Sequence, residues 1–354
     1  MIKRILIWVL GTIVVLIVAI VLAFRLTPWP SVAIIQHAFS HGDQASEAAL
    51  EKHVPDKIVT RRDLAYGKGP DEIFDINYPE DTNRPLPTIV WVHGGGWVAG
   101  SKDGIANYLK VLAGHGYTTV GVEYSTGFGV TYPKPVEQVN AALGYLVRNA
   151  AKLNIDPDAI VLAGDSAGAQ ISAQLAIITT DPSYAGQMGI SPSLNPERLA
   201  AILLLSGAYD IEQVDLEGDF GWFVKTVLWA YSGTRDFMND ERFRLVSVTN
   251  YVTNAFPPSF ISSGNGDPLE PQAAALARKL EHLSVRGWTA YSSQLNTARR
   301  FRMNINSIST LRRVRKHLAR CSPLLAQLCN GRIELGLHMT ARPIPGPKSH
   351  RDLL

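Results

Sequence analysis

Cysteine is nearly missing from this 354-residue chain: there are two, Cys321 and Cys329, both near the C-terminus. No disulfide framework and no cysteine-based metal site can be built ahead of them, and cysteine usage says nothing about the redox compartment. Two further gaps lie in the same region. No Asp or Glu occurs between Glu281 and Glu334, and no His between His282 and His317. Residues 288–354 hold twelve Lys and Arg against two acids, so, with a whole-chain charge of +3, residues 1–287 carry −7. The basic residues are not interleaved with aromatics, and no binding motif accompanies them; this argues against a nucleic-acid partner. There are no internal repeats. The remaining composition, 46% hydrophobic and 18% charged, suits a globular protein with an added apolar segment. The length allows one sizeable α/β domain plus extras.

The apolar segment is Ile5 to Phe24, twenty residues without a charge. As a helix it spans about 30 Å, the thickness of a bilayer core. Lys3 and Arg4 precede it, and no small-x-small cleavage site follows Phe24. This pattern predicts a signal anchor over residues 1–25, with the N-terminus in the cytoplasm and the remainder on the extracytoplasmic side, periplasmic or extracellular. A cleaved signal peptide is the alternative, and it exports the domain as well. Thr27-Pro28-Trp29-Pro30 then breaks the helix. Residues 26–56 form a linker or cap segment in which 31–55 read as one or two amphipathic helices, either a cover for a site or a spacer.

From Lys57 onward strands alternate with helices. Strands are expected at Ile58–Tyr66, Ile73–Tyr78, Thr88–Val92, Thr118–Val122, Ala159–Ala163, Leu199–Leu205 and Phe260–Ser263. Helices are expected at Asp103–His115, Pro133–Leu153, Ala167–Thr179 and Gln272–Leu283. Such alternation implies an α/β fold with a doubly wound, mostly parallel sheet over residues 57–287. Residues 211–256 interrupt it with Trp222, Phe223, Trp229 and Tyr231, where a helical lid insertion fits.

Two motifs carry chemistry. Gly164-Asp165-Ser166-Ala167-Gly168 stands between an apolar strand and a small-residue helix. A turn that tight strains the backbone at Ser166, and a Cβ at either flanking glycine collides with the adjoining strand and helix. The helix N-terminus behind the serine favours developing negative charge. The second motif, His93-Gly94-Gly95-Gly96-Trp97, follows the buried strand ending at Val92. Its bare backbone can approach a ligand closely. The N–H groups of Gly95 and one neighbour, Gly94 or Gly96, together with that of Ala167, suit an oxyanion hole. Asp267 follows an apolar strand and precedes Pro268, in the order Ser then Asp that an α/β-hydrolase uses. Asp165 reads as a supporting residue, and Asp210 as a loop or cap residue.

These motifs, with Gly264-Asn265-Gly266-Asp267-Pro268-Leu269, resemble those of the hormone-sensitive-lipase-like branch of the α/β-hydrolases over about residues 57–287. The resemblance implies a carboxylic ester hydrolase acting on small-molecule esters without cofactor or metal. In it Ser166 attacks, Asp267 orients a histidine, and an acyl-enzyme forms. His93 is then structural, holding the oxyanion loop. The three-glycine loop, and the lack of any additional substrate-anchoring domain, argue against a peptidase.

The triad histidine is not identifiable. The family places it about 30 residues after the acid, beyond an eighth strand. Here His282 comes too early, and His317, His338 and His350 come too late. No eighth strand is expected, because the apolar periodicity ends at Gly287. The basic tail, 288–354, lacks family character, as a shifted reading frame or a replaced C-terminus produces. The alternative function is therefore a catalytically impaired hydrolase-fold protein or a binding module.

Overall fold

The computed structural model describes residues 2–264 and 267–291. The apolar N-terminal run forms helix α1 (Ile2–Leu26), which buries none of its residues and is long and apolar enough to cross a membrane. Pro28 interrupts it, and Thr27 Oγ1 accepts the Trp29 N–H at 3.3 Å. Helix α2 (Trp29–Leu50) follows as a single helix. Ser31, Val32 and Ile35 are buried, and half-buried Phe39, Asp43 and Glu47 continue the stripe at three- and four-residue steps.

The domain then runs β1 (Ile58–Ala65), β2 (Ile73–Pro79), β3 (Leu86–Val92), α3 (Ala106–Ala113), β4 (Thr118–Val122), α4 (Lys134–Arg148), α5 (Ala150–Leu153) and β5 (Ile155–Asp165). It continues with α6 (Ala167–Thr180), α7 (Pro182–Met188), β6 (Leu199–Leu205), α8 (Gly221–Ser232), β7 (Ser259–Ser263), α9 (Glu270–His282) and β8 (Gly287–Tyr291). One sheet takes all eight strands, in the order β1-β2-β4-β3-β5-β6-β7-β8. β2 is antiparallel to both its neighbours, and every other pair is parallel. This is the α/β-hydrolase arrangement, mixed but mostly parallel. Val90, Val92, Val120 and Val122 are fully buried, as strands covered on both faces require. Helix α6 is buried along Ala167–Thr179, and its sequence is mostly small and apolar, with Gln170, Ser172 and Gln174 buried among those residues. The carboxyl ends of β3, β5 and β7 open onto the same end of the sheet, where parallel sheets place their sites.

Two expectations are corrected. The helix over 133–153 divides at Asn149, and its second piece ends at Asn154 in the left-handed conformation (φ 57°). An eighth strand is also present. β8 pairs parallel with β7 from Ser259↔Gly287 to Ser263↔Tyr291. Trp, Thr and Tyr favour a pleated surface, but five residues are too few to display a period. The sheet therefore extends to Tyr291, past the compositional break at Gly287. The rest of the basic tail, with His317, His338 and His350, lies outside the described residues. In the 211–256 segment, α8 packs against the three-glycine loop.

Candidate active site

Ser166 stands between β5 and α6 with a backbone of φ 49°, ψ −119°. A non-glycine residue there carries strain of about 1–3 kcal/mol, which persists only where the surroundings enforce it. The enforcement is visible. The Ser166 N–H donates to Leu205 O on β6 at 2.8 Å, and Ser166 O accepts the Gln170 N–H at 3.2 Å. A Cβ on Gly164 would lie 2.5 Å from the Gly168 carbonyl carbon, and one on Gly168 would collide with the carbonyl oxygens of Val92 and His93. The elbow and the end of β3 thus touch through bare backbone. That contact brings the serine and the three-glycine loop together.

The loop is a wound turn. Gly95 O accepts from Val98 N at 3.2 Å and Ala99 N at 2.9 Å. Gly95, Gly96, Trp97 and Gly100 all have positive φ. A Cβ at Gly95 would strike Ala99 O, so glycine is required there for space as well as for φ. His93 stands behind the turn, 1% exposed. Its Nδ1 lies 2.8 Å from Gly94 O and its Nε2 3.0 Å from Glu123 Oε1, and its ring stacks on Tyr124 at 4.2 Å. Both ring nitrogens face acceptors, so both carry a proton. Burial opposes that charge, but the hydrogen bond and charge of Glu123 outweigh it and raise the His93 pKa. Burial likewise opposes the Glu123 carboxylate, and the His93 bond prevails and lowers its pKa. Glu123 Oε2 also accepts the Lys102 N–H at 3.0 Å. Both ring nitrogens of His93 are thus engaged within the support of the loop.

Asp165 is raised by burial, opposed by the Trp91 indole, the His93 charge and the Gly94 N–H. Trp91 Nε1 donates to Asp165 Oδ1 at 3.0 Å. Gly94 abuts the Asp165 carboxylate, where an added Cβ would lie 2.3 Å from Oδ2. Gly94, Gly95, Gly96 and Ala167 remain the candidate oxyanion donors. Asp210 caps a 3₁₀ turn by accepting the Glu212 N–H at 3.0 Å, which is the cap role read from the sequence.

Asp267 stands after β7, in the loop before α9. Its Oδ2 accepts the Ser263 hydroxyl at 2.9 Å and its Oδ1 the Leu269 N–H at 2.8 Å, so the carboxylate is oriented from two sides. No histidine among the described residues bonds to Asp267 or Ser166. His282 sits exposed at the far end of α9, about 18 Å of helix from the acid loop. His93 is engaged as above. No group of three or more His, Cys, Asp or Glu among the described residues could hold a metal ion.

Two contributions were not legible in the sequence. The first is Gln170, one turn beyond the serine, whose Oε1 accepts the Trp97 indole N–H at 3.1 Å. The available signal was a pair of glutamines, Gln170 and Gln174, one turn apart in a run of small and apolar residues. The second is α2. Gln36 Nε2 donates to Val98 O at 2.8 Å, Phe39 stacks with Phe223 of α8 at 6.2 Å, and the Glu47 carboxylate accepts the Asn107 N–H at 2.9 Å. Phe39 and Asp43 close a cavity of about 60 Å³ against His93, Gly95 and Asp165. Helix α2 thus packs against the three-glycine loop. On the other side, a Cβ on Gly96 would come within 3.0 Å of Val227 and 3.2 Å of Phe223, so α8 lies directly on the loop.

Comparison with known proteins agrees with this geometry. Residues 74–280 match the family model described as BD-FAE. Esterase LipC of Mycobacterium tuberculosis is 28% identical over 269 residues, which is 72% of this chain and 65% of LipC. An esterase of Gibberella moniliformis is 27% identical over 251 residues, 67% of this chain and 74% of its own length. Carboxylesterase NlhH of M. tuberculosis is 28% identical over 237 residues, 66% of this chain and 72% of its own length. Esterase B from Lactobacillus rhamnosis superposes with a TM-score of 0.64 at 19% identity, covering 84% of this chain and 97% of that one. A bacterial heroin esterase does so with 0.61 at 22%, covering 85% and 95%. At these identities the structural matches speak for the fold.

Proposed function

The chain belongs to the BD-FAE family, among the esterase-type α/β-hydrolases, and on that premise we propose that it is a serine carboxylic ester hydrolase. The observation that carries the reading is the strained Ser166 elbow, packed glycine to backbone against the wound three-glycine loop. Ser166 Oγ attacks the ester carbonyl carbon, and the carbonyl electrons move to oxygen. The N–H groups of Gly95, Gly96 and Ala167 receive that oxyanion; such donors are worth about 3–4 kcal/mol each. Collapse expels the alcohol and leaves an acyl-enzyme, which water then hydrolyses. Asp267 orients the base that takes the serine proton and later returns it to the leaving group. Phe223 and Val227 over Gly96 suit an apolar acyl group. Helix α1 serves as a membrane anchor with the domain on the extracytoplasmic side; alkaline carbonate extraction separates an anchored protein from one whose leader has been cleaved.

A second reading is favoured by one observation: no histidine among the described residues stands at Asp267. In that reading the chain keeps the serine and loop but lacks a base. The test is hydrolysis of p-nitrophenyl butyrate by the full chain in detergent, beside Ser166→Ala. The ester-hydrolase reading requires turnover at least about a thousandfold above the variant. Equal rates in a folded sample refute it and leave the impaired hydrolase. His317→Ala and His338→Ala then identify the base of an active enzyme.

A further inference from the structure

We infer that Gln170 is a positioning residue that locks the three-glycine loop to the nucleophile helix through the indole of Trp97. The inference rests on the reading of that loop as the oxyanion hole. Gln170 is fully buried, and each of its polar atoms is accounted for. Its backbone N–H donates to Ser166 O at 3.2 Å. Its Oε1 accepts from Trp97 Nε1 at 3.1 Å, and its Nε2 donates to Gln174 Oε1 at 2.9 Å and to Val246 O at 3.2 Å. One residue therefore holds the serine's carbonyl with its backbone and the oxyanion loop with its side chain.

Trp97 is the lever. It follows Gly96 directly, is 4% exposed, and has φ 62°, a conformation that bulky residues adopt only when neighbours enforce it. Two constraints do so. The Tyr231 ring of α8 stacks on the indole, with centroids 5.0 Å apart and planes 6° apart. Gln170 fixes its in-plane rotation through the N–H. If the indole turns, the Gly96–Trp97 peptide turns with it, and the Gly95 and Gly96 N–H groups leave the serine. Gln170 is in turn anchored by Gln174, whose Nε2 donates to Tyr132 Oη at 2.6 Å and to Leu245 O at 3.2 Å. The reference frame for the loop thus reaches the segment around residues 245–246 as well as α6.

The test uses the full chain in detergent and three variants: Trp97→Phe, Gln170→Met, and the pair. Trp97→Phe removes the same hydrogen bond from its donor side and leaves Gln170 in place, so it stays informative if Gln170→Met folds poorly. The expected result in each single variant is a fall in kcat of about tenfold on p-nitrophenyl butyrate, with KM within about twofold, because an oxyanion donor acts on the transition state. Amide exchange over residues 94–100 is expected to quicken about tenfold. The double variant should be no slower than the worse single, since both cut the same link. Multiplicative losses, or exchange over 94–100 equal to that of wild type, overturn the inference. If wild type proves no faster than Ser166→Ala, the hydrolase reading fails, and the exchange measurement alone still decides whether Gln170 holds the loop.

Discussion

Replacing Glu123 by Gln tests whether the support of the three-glycine loop is an ion pair. Glu123 Oε1 lies 3.0 Å from His93 Nε2, with side-chain exposures of 15% and 1%. Removing the charge leaves a buried imidazolium facing an amide. Breaking a buried pair this way costs about 3–5 kcal/mol; His93 can shed its proton to limit the loss, so about 3 kcal/mol is expected. The pH dependence follows from the two shifts. His93 is raised above its ordinary 6.5, so its share of the stability is full below pH 6.5 and is lost as pH rises through the folded-state value. Glu123 is lowered below its ordinary 4.5, so its share is full above pH 4.5 and is lost as pH falls through the folded-state value. The gap between wild type and Glu123→Gln is therefore widest between pH 4.5 and 6.5. On the alkaline side it closes for a structural reason. Neutral His93 can keep its proton on Nδ1 toward Gly94 O and accept at Nε2 from the new amide, whose oxygen still takes the Lys102 N–H. Every group is then satisfied, and the gap should fall below about 1 kcal/mol. Thermal unfolding of both proteins at pH 5.5 and at pH 9 reads this directly. For a domain of this size 3 kcal/mol corresponds to about 6–12 °C in Tm. A Tm gap that is the same at both pH values, or wider at pH 9, refutes the ion pair.

Two other substitutions follow from the same geometry. Gly168→Ala forces a Cβ into the carbonyl oxygens of Val92 and His93, so the elbow must part from the loop; esterase kcat should fall at least about a hundredfold, and a loss under threefold in steady-state assays would contradict the close packing. Lys102 is 4% exposed and bonds Asp63 at 2.8 Å, Asp75 at 3.0 Å and Asp103 at 3.3 Å. Lys102→Met strips a buried cation from Asp75 and should cost about 3 kcal/mol in urea unfolding, whereas Asp103→Asn, at the exposed end of the same cluster, should cost under about 1 kcal/mol.

The chain's own order of residues determined the fold class and marked the candidate site. Strand and helix patterns show in a single line of sequence because burial on two faces demands Val90 and Val92 as much as it demands the small and apolar residues that make up most of α6. The elbow was legible for a related reason: steric exclusion at Gly164 and Gly168 is local, and only glycine satisfies it. Tertiary structure alone decided what holds those pieces in register. Glu123 reaches His93 across 30 residues, and Gln170 reaches Trp97 across 73; no spacing rule links such positions, because strand order and helix packing set their distance. The same holds for β8, which is a strand because β7 offers it a partner. Short-range sterics are written along the chain, whereas the hydrogen bonds between distant elements exist only once the sheet has brought their ends together.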